Sequence, residues 1–97
     1  MLVIFNGMDF TFEYLSSAHQ HSFGNEKEIM QSNSCGCFYC MKIFPPSEIT
    51  EWIGDKPFPT ALCPYCIIDA VIGDKSGFPI TDSEFLTAIH NRFFYQT

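Results

Sequence analysis

The chain opens on a period of two. Leu2-Val3-Ile4-Phe5 runs into Asn6-Gly7, after which Met8, Phe10, Phe12 and Tyr14 alternate with Asp9, Thr11 and Glu13. Alternation places one set of side chains on a covered face and the other toward solvent, which is the signature of a strand. Asn-Gly supplies the two positive-φ residues of a tight turn. A β-hairpin over residues 1–15 is therefore predicted. The pattern then lapses, and the polar stretch from Ser16 to Gly24, carrying His19 and His21, reads as a loop. Asn25 with Glu28 three positions later predicts a short helix through Met30. Pro45-Pro46-Ser47 predicts another over Ser47–Ile53, stopped by Gly54. Prolines in Lys56-Pro57-Phe58-Pro59 exclude helix there. Ile67, Ile68, Val71 and Ile72 share one helical face, with Asp69 opposite and Gly73 as the stop. Thr81-x-x-Glu84 forms a capping box for a C-terminal helix over 81–95, with Phe85, Leu86, Ile89 and Phe93 turned inward. No internal repeat, linker or low-complexity segment is apparent. The whole predicts a single α+β domain spanning residues 1–97.

Composition changes that picture by asking how so short a chain is held together. Ninety-seven residues bury a modest share of their surface, so a crosslink or metal would stabilise the fold. An apolar content of 46%, with eleven phenylalanines, argues for a packed core rather than disorder. Trp52, Phe58, Phe78, Phe93, Phe94 and Tyr95 are core candidates, and Phe94 and Tyr95 could extend an aromatic patch for a partner. Five basic against eleven acidic residues give a net charge of -6. Such a surface disfavours nucleic acid, whose phosphates are bound by cations. It favours a basic protein partner or, more simply, solubility. Residues 1–5 lack the basic region of a secretion signal, and no apolar run has membrane-spanning length. Five cysteines, an odd number, suggest reduced thiols in a cytoplasmic setting rather than a disulfide framework.

The cysteines supply the strongest chemical signal. Cys37-x2-Cys40 is followed, after residues 41–62, by Cys63-x2-Cys66. Two such clips converge naturally on one tetrahedral zinc ion, with sulfurs about 2.3 Å from it. Cys37, Cys40, Cys63 and Cys66 are thus the predicted ligands of a structural zinc. Four thiolates on one divalent ion would add about two negative charges. Cys35 lies too near Cys37 to serve beside it and is assigned as the spare, either a small buried apolar group or a mildly exposed thiol, with a swap of Cys35 for Cys37 as the alternative ligand. Met41 and Ile67, after the second cysteine of each pair, are not the glycine of a free zinc knuckle. The apolar stripe following Cys66 suggests that this pair opens a helix, where the dipole favours thiolate. A knuckle, a connector and a pair opening a helix describe a treble-clef-like finger over 35–73, with a zinc-ribbon-like arrangement as the alternative.

Two rival chemistries use the same region. Cys63-Pro64-Tyr65-Cys66, set between a short strand and an expected helix, is similar to the active site of glutaredoxins over Ala61–Ile72. That resemblance implies a thiol redox protein, but residues 67–97 lack the matching cis-proline strand and glycine pair. His19-x-His21 places two imidazoles on one face of an extended segment. With Asp69 or Asp74 they could form a second, hydrolytic metal site, as in a metal-dependent hydrolase or nuclease. The simpler alternative is solvated or hydrogen-bonded loop histidines. Asp69 and Asp74 are otherwise expected to bond amides in the turn at Gly73, and His90 to be a packing residue.

A wider set of motifs runs through the chain: Ala18-His19-Gln20-His21-Ser22, Cys35-Gly36-Cys37-Phe38-Tyr39-Cys40, Thr60-Ala61-Leu62-Cys63-Pro64-Tyr65-Cys66, and Ile72-Gly73-Asp74. In order and spacing these resemble a family of small bacterial proteins labelled only as cytoplasmic proteins, from Ala18 through Phe94. Ile67 departs from the glycine expected in that family, and residues 1–14 have no counterpart there. The resemblance implies zinc binding and a cytosolic setting and brings no activity with it. With no complete catalytic set, the expected function is a zinc-stabilised protein-interaction module of regulatory, inhibitor or immunity type.

Overall fold

A computed structural model describes residues 2–5 and 8–94, with side chains from Phe10 onward. Strand β1 (Leu2–Phe5) pairs antiparallel with β2 (Met8–Thr11), Leu2 opposite Thr11 and Phe5 opposite Met8. The hairpin is present, while its predicted Asn6-Gly7 turn lies outside the described residues. The second strand ends earlier than the alternation suggested. Thr11 instead caps helix α1 (Phe12–Gln20), its Oγ1 accepting the Tyr14 amide at 3.0 Å. The expected loop at 16–24 is therefore mostly helix. Leu15 and Ala18 are fully buried, and burying that stripe outweighs the weak helix preference of Ser16 and Ser17.

Helix α2 (Glu26–Met30) follows where predicted. Asn25 does not cap it through its side chain. That side chain is buried and reaches three separate segments: Nδ2 donates to the carbonyls of His21 and Val71, both at 2.8 Å, and Oδ1 accepts the Ala61 amide at 3.1 Å. The predicted helix over Ser47–Ile53 is only a 3₁₀ turn at Pro46–Glu48. Its last two residues belong to strand β5 (Trp52–Ile53), antiparallel to β6 (Thr60–Ala61). Both strands are short, and Gly54, at φ 91°, follows β5.

The central sheet has the order β4-β3-β7, from β4 (Ile43–Phe44), β3 (Cys35–Cys37) and β7 (Val71–Gly73), all antiparallel. The helix predicted after Cys66 does not form; Val71 and Ile72 are fully buried strand residues. Gly36 sits at the middle of this sheet because a Cβ there would lie 2.8 Å from the Ile80 carbonyl oxygen. Helix α3 (Ser83–Phe93) closes the chain. Its cap is Asp82, one residue beyond the predicted Thr81, with Oδ1 accepting the Glu84 amide at 2.9 Å. Phe85, Leu86, Ala88 and Ile89 bury its inner stripe beside Phe10, Leu15 and Ala18. Phe78, Phe93 and Phe94 pack partly buried against the core, whereas Phe58, a core candidate from sequence, is 64% exposed. Tyr95 lies outside the described residues.

Candidate metal centre

Two loops build the site, and they are built alike. In the first, the Met41 amide donates to the Cys37 carbonyl at 2.8 Å, and the Cys37 amide to the Lys42 carbonyl at 3.0 Å. In the second, the Ile67 amide donates to the Cys63 carbonyl at 2.9 Å, and the Cys63 amide to the Ile68 carbonyl at 3.1 Å. Each chain folds back through a left-handed residue, Met41 at φ 72° and Ile67 at φ 67°. The loops are thus a structural repeat of Cys-x-x-Cys knuckles, although their sequences show no repeat beyond the cysteines and one tyrosine. Two equivalent knuckles joined through a small antiparallel sheet match the zinc-ribbon-like alternative; the second pair opens no helix. β3 delivers Cys37, and the Phe38 amide bonds the Ala70 carbonyl at 3.0 Å, fixing the first knuckle beside the strand that leaves the second.

The four sulfurs of Cys37, Cys40, Cys63 and Cys66 all lie within 4.8 Å of one another. Cys37 Sγ is 3.7 Å from Cys66 Sγ, and Cys40 Sγ is 3.7 Å from Cys63 Sγ. Disulfide sulfurs would be about 2.05 Å apart, and all five cysteines are free thiols. A tetrahedral ion bound by thiolates at about 2.3 Å would hold its sulfurs about 3.8 Å apart. The donor set therefore fits a metal ion at its centre. Cys37 and Cys63 are buried, while Cys40 and Cys66 are half-buried, so the site has an inner and an outer side.

Electrostatics point the same way. Burial, and then the neighbouring thiols Cys63 and Cys40, push the Cys37 pKa far up against the help of backbone amides. Burial also pushes Cys66 up to about 11. At Cys63 burial opposes ionisation, but the amides of Tyr65 and Cys66 and the thiols of Cys40 and Cys66 together outweigh it and bring its pKa below the ordinary thiol value. The Tyr65 amide lies 3.3 Å from that sulfur. Cys63 thus ionises more readily than an ordinary thiol. A cation is what lets the remaining sulfurs ionise together.

The structure separates Cys35 from this group. It is fully buried in β3, opposite Phe44 and Gly73, and burial followed by the Asp74 charge pushes its pKa up to about 12. Among the described residues, no other group of three or more His, Cys, Asp or Glu side chains converges in this way. His19 stacks on Phe93, with ring centroids 3.9 Å apart. Burial lowers its pKa, opposed by the charge of nearby Asp69. His21 is engaged elsewhere, its Nδ1 2.9 and 3.1 Å from the two Glu28 oxygens. His19, His21 and Asp69 are not brought together as a three-ligand set. Asp74, not Asp69, bonds a loop amide, its Oδ1 accepting from Asn33 at 3.0 Å. Two residues have supporting roles that the sequence did not announce. One is Asn25, with its three bonds to separate segments; the other is His90, whose Nδ1–H donates to the Phe38 carbonyl at 2.9 Å. His90 thereby ties α3 to the first knuckle.

No family model, curated protein or solved structure matches this chain. Among the described residues, no helix is long and apolar enough to cross a membrane.

Proposed function

We propose that the protein is a cytoplasmic, zinc-stabilised interaction module of regulatory, inhibitor or immunity type. The observation that carries the metal half of this reading is the convergence of four free thiols, all within 4.8 Å of one another, on two matching knuckles. Zinc suits this donor set because it accepts four thiolates without a redox or geometric demand of its own. The resemblance to small bacterial cytoplasmic proteins belongs to the same reading. The interaction half is supported by what the knuckles present outward: Tyr39, Tyr65 and Ile67 are exposed around the half-buried Cys40 and Cys66. A net charge of -6 favours a basic protein as the partner.

Metal content per chain tests the first half. Wild-type protein should carry one zinc. Cys37→Ser, Cys40→Ser, Cys63→Ser and Cys66→Ser should each lose it and fold poorly, since structural zinc contributes on the order of 10 kcal/mol in small zinc peptides. Cys35→Ser should keep its zinc. Metal loss in that variant, or a wild-type chain whose circular dichroism ignores a chelator, would overturn the assignment. Capture from a native lysate by zinc-loaded and zinc-stripped protein tests the second half; no specific partner under either condition counts against it.

A further inference from the structure

The two most exposed large apolar side chains among the described residues are Phe23, at 79%, and Phe58, at 64%. They are distant in sequence yet line one surface cavity of about 210 Å³, together with His21, Gly24, Lys27 and Glu28. Its walls are tied rather than loose. Gly24 adopts φ 59° and lies against Phe58, where a Cβ would be 3.4 Å from the Phe58 Cβ. The Gly24 amide donates to Thr60 Oγ1 at 2.7 Å, and the Glu26 amide to the Pro59 carbonyl at 3.2 Å. Glu28 is half-buried and held by His21 Nδ1 at 2.9 and 3.1 Å. An ionised carboxylate offers about four acceptor positions, so this one contact leaves others free.

We propose that this cavity receives one arginine side chain of a basic partner protein, its guanidinium against the Phe23 and Phe58 rings and bonded to Glu28. The proposal rests on the interaction reading and adds a second contact surface to the one at the knuckles. Size sets the scale of the occupant. A cavity of about 150 Å³ accommodates benzene, whereas pockets for drug-sized ligands begin at about 300 Å³. One side chain fits between those limits. Chemistry then selects which. Aromatic faces attract a cation, and a guanidinium is planar, weakly hydrated and matched to a carboxylate in a way an ammonium is not. Lys56 is already paired with Glu26 at 2.9 Å. Lys27 is the opposing charge on the wall, set against Glu28 at the contact and a net charge of -6 at longer range.

The test is an amide-resolved NMR titration of the full, zinc-loaded chain with acetyl-Gly-Arg-Gly-amide. Saturating shifts should be confined to residues 20–28 and 56–60. The citrulline peptide, neutral and nearly isosteric, should bind several-fold more weakly. Phe23→Ala/Phe58→Ala should weaken the arginine peptide by about tenfold, the sum expected for two exposed cation–ring contacts. Glu28→Gln should weaken it too, with the rest of the spectrum unchanged. Equal binding of citrulline, tighter binding of a norleucine peptide, or shifts centred elsewhere would overturn the proposal. Lysate capture separates it from its parent reading. Retention of the same partner by Phe23→Ala/Phe58→Ala overturns the cavity and leaves the interaction reading standing. Arginine-peptide binding without any captured partner supports the cavity and counts against that reading.

Discussion

Met41 and Ile67 carry the sharpest local tension in the protein. Each donates its amide to the carbonyl of a cysteine four residues earlier, and its left-handed φ then turns the chain back so that the next residue's carbonyl meets that cysteine's amide. For a β-branched residue such as Ile67 this conformation costs about 1–2 kcal/mol. Its side chain is more than half exposed, so little packing offsets the strain. Ile67→Gly should therefore stabilise the zinc-loaded protein, by about 1 kcal/mol once the greater flexibility of unfolded glycine is subtracted. Urea unfolding measures this directly, and a lower midpoint in the variant would contradict it. The same residues explain what was hidden in the sequence. A glycine after each pair would have announced a knuckle. Ile67, Ile68, Val71 and Ile72 without one fit a helix as well as a short buried strand, because periodicity cannot separate the two over so few residues.

At the scale of elements, the recurring theme is a short segment whose form is decided by what it meets. α1 was concealed because Phe10 and Tyr14 satisfy both a strand alternation and a helical i, i+4 spacing; the Thr11 cap and the burial of Leu15 and Ala18 settle it. The segment after Pro46 holds a single 3₁₀ turn because Trp52 and Ile53 are recruited to pair with Ala61 and Thr60. Asn25 then joins these pieces, bonding the end of α1, β6 and β7 at once. Asn25→Ala would leave the buried Val71 carbonyl and Ala61 amide without that partner. The expected loss is about 2–4 kcal/mol, from a penalty of about 1–3 kcal/mol per unsatisfied group. Unfolding with metal content monitored should show the loss with zinc still bound; a change under 0.5 kcal/mol, roughly the scale of a neutral surface substitution, would refute the hub role. Nothing in the sequence distinguishes this asparagine from an ordinary helix cap.

For the molecule as a whole, stability couples to pH through His19. Burial among Phe93 and Phe38 holds the His19 pKa below its ordinary 6.5. The unfolded chain therefore takes up that proton more readily, and acid favours unfolding. The contribution of His19 should be complete above pH 6.5 and fade as pH falls through its lowered folded pKa. Comparing wild type with His19→Gln isolates it, since both share the same cysteine site. The stability difference between neutral and mildly acidic buffer should be smaller in the variant, and parallel pH curves would exclude the effect. By itself, the sequence determined the α+β class, the hairpin, the C-terminal helix and the four cysteines that gather, because each is written in local period or in ligand spacing. The tertiary structure alone decided that the second cysteine pair leads into a strand, that His19 and His21 face different partners, and that Phe23 and Phe58 line one cavity. Those outcomes depend on contacts between segments distant in the chain, where local preference is weak and burial and backbone pairing outweigh it.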